Sequence, residues 1–139
     1  MEVSPELSAE VSDFITKAIE LQIEAYRRGD ANIAAPIMAG DILSTLDKDI
    51  VSLNQQGFAQ ISEIDYYNSY IKDIRVINET NIEVDTCEVW STNIYQRSDG
   101  SLIQGTDPRL LPQTITIQKL DSGWYITNVN FFDAPAFCN

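Results

Sequence analysis

Gln113-Thr-Ile-Thr-Ile-Gln-Lys-Leu-Asp-Ser-Gly-Trp-Tyr-Ile-Thr-Asn-Val-Asn-Phe-Phe132 is two alternating runs on either side of a short turn. Branched residues at every second position suit a pleated strand. The Asp121-Ser122-Gly123 step supplies a residue that tolerates positive φ, and Trp124-Tyr125 opens the second run. The chain therefore ends in a β-hairpin. At its other end the apolar period is helical, so helices come first and an antiparallel sheet last. That order predicts an α+β domain, in which N-terminal helices pack on a strongly curved sheet to make a cone.

The first helix is announced by Ser4-Pro5-Glu6, a hydroxyl cap followed by proline and an acid. Val11, Phe14, Ile15, Ala18, Ile19, Ile23 and Tyr26 form one stripe that runs to Arg27-Arg28 and stops at Gly29. Asp30 caps a short second helix, Ala31 to Met38, which Pro36 keeps short. A third follows Gly40-Asp41 to Gly57, with Leu43, Leu46, Ile50 and Leu53 on one side. From Phe58 the period becomes two. Strands are expected over 58–67, 70–77 and 81–96, and a flexible polar loop over 98–112. No linker or repeat divides the chain, so residues 1–139 read as one domain.

Nine Lys and Arg against 21 Asp and Glu leave a net charge of −12 and a pI near 4.1. Such a surface repels phosphate backbones, which excludes nucleic acid as a partner. No apolar run approaches the roughly 18 residues that span a bilayer, so this segment does not insert into a membrane. The acidic first residues carry no secretory signal, and the chain as it stands reads as cytosolic. Against that stand Cys87, in a strand, and Cys138, the penultimate residue. Free buried thiols are one reading. A bridge is the other, because a cysteine so near the terminus has little packing purpose. A bridge implies an oxidising compartment, with a signal or anchor preceding the segment, and this reading is placed ahead of the cytosolic one. Two cysteines and no histidine make no zinc site, and no motif calls for a cofactor.

Ala25-Tyr-Arg-Arg-Gly-Asp30, a third helix ending at Gly57, and a bent meander closing on Asp121-Ser-Gly-Trp-Tyr-Ile-Thr127 carry a resemblance. Over residues 5 to 133 the chain resembles the nuclear transport factor 2-like superfamily, the cone-shaped fold also called cystatin-like. Cys87-Glu-Val-Trp90 and the Asp-Pro loop look like accessory domains found beside bacterial membrane-anchored kinases and division proteins. The resemblance implies a pocket inside the cone. It leaves open whether that pocket serves a small-molecule enzyme (an isomerase, epoxide hydrolase or polyketide cyclase) or a non-catalytic binding domain.

With no histidine, any mechanism that needs an imidazole base is excluded. Glu88 shares the parity of Ile82, Val84 and Trp90, which makes it the one candidate base, against a solvated or salt-bridged glutamate at the rim. Tyr26, Trp90, Tyr95 and Trp124 are the candidate pocket residues, with tyrosine hydroxyls as orienting groups. Three functions are therefore expected, in this order. The first is a non-catalytic accessory or sensor domain that binds a protein partner or a small apolar molecule. The second is an enzyme with Glu88 as base and Tyr26 or Tyr95 as donor. The third is a homodimer formed through the Val89/Phe131 side of the sheet.

Overall fold

A computed structural model describes residues 2–121 and 123–139; Ser122 of the expected hairpin turn and Met1 lie outside the described residues. Helix α1 spans Pro5–Arg28. Its start follows the sequence signal: the Ser4 hydroxyl accepts from the Leu7 N–H at 3.1 Å, and Pro5 takes a position whose N–H has no helical partner. Its end is a tight junction. Gly29 adopts φ +70°, and the Asn54 side-chain amide donates to its carbonyl at 2.9 Å. A Cβ at position 29 would stand 2.5 Å from Asn54 Oδ1, so both conformation and space require glycine.

The expected second helix is a single 3-10 turn, Ala31–Ala34, capped by the Asp30 carboxylate. Pro36 has no N–H to continue a helix, and the following backbone pairs with the sheet instead. Ala39 N–H donates to the Ile126 carbonyl at 3.1 Å, and Ile126 N–H to the Ile37 carbonyl at 2.8 Å. Two α-helices therefore cover the sheet, the second being α2, Asp41–Gln56, with Leu46 and Ile50 buried.

The sheet has strands β1 (Phe58–Ile64), β2 (Tyr70–Val76), β3 (Asn81–Gln96), β4 (Leu102–Gly105), β5 (Arg109–Leu120) and β6 (Gly123–Phe131). Long β3 is its spine. One edge pairs with β2 and then β1, the other with β5 and then β4, and β6 adds to β5, all antiparallel. Register shifts at Ile71/Asp73, Ile94/Tyr95 and Thr116/Ile117 bend the strands and curl the sheet around the helices. This is the expected α+β cone. Strand β1 stops earlier than expected because the Asp65 carboxylate accepts from the N–H groups of Tyr67 and Asn68 and turns the chain.

The expected loop over 98–112 is also corrected. Leu102 to Gln104 form a strand against Ile94 and Tyr95, and β5 begins at Arg109. Pro112 fits inside β5 because Phe132 N–H donates to its carbonyl at 3.0 Å. Its own missing N–H thus faces the side where β6 has already ended.

Ile82, Val84, Ile115, Ile117 and Ile126 of the sheet pack with Val11, Ile15, Ala18, Leu46 and Ile50 of the helices in one apolar core. Side chains of opposite parity on β3 face outward. There Arg75 bonds the Asp85 carboxylate through both terminal nitrogens at 2.6 and 2.9 Å, and reaches Asp73 at 2.9 Å. Val89 lies on this outer face and Phe131 on the inner rim, so the two do not share one dimerisation surface. Cys87, also outward, is bonded to Cys138. The bond draws the tail across the sheet, where Phe132 and Phe137 meet edge to face with ring centres 5.7 Å apart.

Two expectations follow from the outer face. Cys138→Ser opens a ring of 51 residues' separation. It should lower the unfolding free energy by about 4 kcal/mol, the loop-entropy value for that length. A denaturation midpoint equal to wild type would show that the tail holds without the bond.

Arg75 above all, with Thr114, holds the Asp85 carboxyl below the usual carboxylate range, against the opposing effect of burial. A folded-state pKa below the unfolded value stabilises the protein above that unfolded value, about 4, and the gain is lost as pH falls through the folded one. Wild type should therefore exceed Asp85→Asn in stability by its full margin near pH 6, and the margin should shrink below about pH 4. A margin unchanged by acid would contradict the ion-pair account.

Candidate functional site

Along the inner face of β3 the residues run Ile82, Val84, Thr86, Glu88, Trp90 and Thr92, apolar first and then polar. The change falls opposite the β2 register shift at Ile71/Asp73, and a cavity of about 240 Å³ opens between sheet and helix. Ile15, Ala18 and Ile19 of α1 form its apolar wall, with Ile115, Ile126 and Val129 beneath. The facing wall is Gln60 and Ser62 of β1, Thr92 and Trp90 of β3, and Gln113 of β5. Phe131, 65% exposed, stands at the mouth.

Glu88 sits in this wall and is only 5% exposed. Its Oε2 accepts from the Thr86 hydroxyl at 2.5 Å. Its Oε1 accepts from the Trp90 indole N–H at 2.8 Å and from the Gln113 amide at 3.0 Å. No lysine or arginine is among these partners, so a buried carboxylate is held by neutral donors alone. A second cavity, of about 130 Å³, lies toward β2. Ile15, Ile19 and Glu88 line both.

The residues singled out in the sequence separate into two groups. Trp90 and Tyr26 line the larger cavity together with Glu88. The Tyr26 hydroxyl, however, points to the rim and donates to Asp49 at 3.2 Å; burial and the Asp49 charge push its pKa far above the ordinary value. Tyr95 stands across from Ala59 of β1, on the parity opposite to Trp90, and is not part of the lining. Trp124 is on the inner face but at the other end of the cone. Its indole N–H donates to Glu10 at 2.8 Å, and Lys119 Nζ lies 5.6 Å from its ring centre.

Gln113 of the larger cavity and Thr86 of the smaller are wall residues not anticipated from the sequence. Their signal was parity: Gln113 alternates with Ile115 and Ile117, as Thr86 does with Val84. Gln113 also adjoined the stretch expected to be a loop. Among the described residues no group of three or more Cys, Asp or Glu is placed to hold a metal, and no helix is long and apolar enough to cross a membrane.

No protein-family model matches this chain, and neither does any curated protein. Solved structures do. The intermembrane-space region of the chloroplast protein ARC6 superposes with a TM-score of 0.76 at 13% identity, covering 95% of this chain and 97% of that one. A nuclear transport factor 2-like superfamily protein from Salmonella enterica serovar Typhimurium strain LT2 gives 0.61 at 14% identity, covering 90% and 92%. A periplasmic fragment of TraM gives 0.58 at 11% identity, covering 91% and 98%. At such identities the likeness shows the fold alone, and one fold serves many functions. Two helices on a curled antiparallel sheet, matched along nearly their whole length, give this chain the nuclear transport factor 2-like, or cystatin-like, fold.

Proposed function

We propose that this protein is a non-catalytic binding domain whose larger cavity takes a small, largely apolar molecule. One observation carries the reading: the two ionisable side chains that line the cavity, Glu88 and Tyr26, are both committed elsewhere. General acid–base catalysis needs a group free to take or give a proton at the reacting atom. On the side of this cavity Glu88 Oε1 already accepts from both Trp90 and Gln113. The proton of Tyr26 is directed to Asp49, outside the cavity, and its raised pKa makes it a poor acid. With Tyr95 on the opposite parity, the Glu88–Tyr pairing of an isomerase, epoxide hydrolase or cyclase lacks its donor.

What is left is a shape suited to binding. An aliphatic wall faces hydroxyl and amide groups across about 240 Å³, a little below the usual range for ligand pockets and so room for a small molecule. The two neighbours described as an intermembrane-space region and a periplasmic fragment are, by those words, parts of larger proteins outside the cytoplasm. Together with the disulfide they favour an extracytoplasmic accessory module.

The chain has two tryptophans, so Trp124→Phe leaves Trp90 as the sole emitter inside the cavity. Titration with 4-nitrobenzyl alcohol, a neutral aromatic quencher, should then quench Trp90 saturably. Ala18→Leu, which projects three carbons from α1 into the cavity, should weaken that binding at least about tenfold, the 1.4 kcal/mol scale of one displaced contact group. Quenching that rises linearly without saturation, or that Ala18→Leu leaves unchanged, would sink the proposal.

A further inference from the structure

The smaller cavity has a different chemistry. It is lined by Ile64 and Ile71, by Ser12 and Ser69, and by Tyr66, with Tyr70 at its edge, where the Tyr70 hydroxyl donates to the Asn139 carbonyl. Among the described residues Glu88 is the one carboxylate in the lining, and no lysine or arginine belongs to it. A carboxylate oxygen has two acceptor positions. Both on Oε1 are taken, by Trp90 and Gln113, which line the larger cavity. On Oε2 only one is taken, by Thr86, and Thr86 lines the smaller cavity. The remaining acceptor position is thus on the oxygen that borders the smaller space.

From the open acceptor on Glu88 Oε2, the serines and Tyr66 of the same lining, and the lack of any cation in the walls, we infer that the smaller cavity binds an organic ammonium group on a short alkyl stem. The site goes beyond the neutral-ligand cavity proposed above and does not depend on it. Each part of an alkylammonium finds its complement. The stem packs on the isoleucines. The head, which carries three donors, meets a buried negative charge and hydroxyl oxygens. Tyr66 at the mouth adds an aromatic ring that a cation can approach. The field of Glu20 and Glu88 at Tyr66, which helps burial raise that phenol's pKa, has the sign such a ligand requires. At −12 the whole molecule draws cations toward the mouth. About 130 Å³ admits a chain of some four or five heavy atoms and excludes a bulky amine.

The test is titration of the intact disulfide-bonded protein with n-butylammonium, followed by amide chemical shifts. The probe should shift the signals of Ser69 and Thr86 saturably, while 1-butanol, its uncharged isostere, should bind at least tenfold more weakly. Glu88→Gln should abolish the preference for the amine. Because that substitution disturbs buried hydrogen bonds, Tyr66→Leu at the half-exposed mouth is a second variant, expected to weaken amine binding severalfold with the fold intact. Ala18→Leu, which blocks the larger cavity, should leave amine binding unchanged and so separates the two sites. Nα-Acetyl-lysine methylamide distinguishes the sources of the ammonium. If it binds as butylammonium does, a partner's lysine fits the site; if only butylammonium binds, the ligand is a free amine. Equal affinity for butylammonium and butanol, or a preference for the amine that survives Glu88→Gln, would overturn the inference.

Discussion

Taking a carboxylate out of water costs several kcal/mol unless neighbouring groups replace the lost hydrogen bonds, and the interior of this cone is organised around doing so at Glu88. Two of the donors, Thr86 and Trp90, lie two residues to either side on the same face of β3. The third, Gln113, sits on β5 opposite Thr86. These bonds therefore fix both the face that β3 presents and its register with β5. A slip of one residue would carry Glu88 to the outer surface and turn Cys87 inward. The Cys87–Cys138 bond pins the adjoining residue from the other side of the sheet. One strand position is thus held from both faces, by a polar cluster within and a covalent tie without.

The same arrangement accounts for the division of the interior into two spaces. A continuous apolar inner face would have let the helices settle onto the sheet along its full length. Instead the apolar residues end at Val84, the polar ones begin at Thr86, and the sheet bends through its bulges. The larger cavity forms against the middle and C-terminal part of α1, and the smaller one forms toward β2. Glu88 stands on the wall between them. Its charge is not answered by a cation, in contrast to Asp85 on the outer face, which Arg75 and Thr114 satisfy.

Much of the fold was legible in the sequence, because it rests on local chemistry. The Ser4 cap, the Gly29 stop, the switch of period at Phe58 and the closing hairpin are all written in neighbouring residues. The departures arise where a distant partner decides. Residues 31–38 have a helical composition, yet the backbone of Ile37 and Ala39 is claimed by Ile126 of β6. Residues 102–105 look like loop, yet the open edge of β3 takes them as a strand. The site divides in the same way. Parity alone points Glu88 and Trp90 inward. Parity cannot say which end of the cone a residue reaches, and so Trp124 turns toward Glu10 while Gln113 faces the cavity. The second cavity depends on three separate elements, α1, the 64–71 corner and β3, and no single stretch of sequence encodes it.

The dependence of the interior on Glu88 can be read directly from the two indole N–H groups of the protein. That of Trp90 donates to buried Glu88 and that of Trp124 to Glu10 at the surface. Hydrogen exchange followed in a two-dimensional nitrogen–proton spectrum should show one indole proton protected by orders of magnitude over the other, and Trp124→Phe should remove the fast one. Two indole protons exchanging equally fast would mean that Trp90 is not held by a buried carboxylate, and the account of the cavity wall would fail with it.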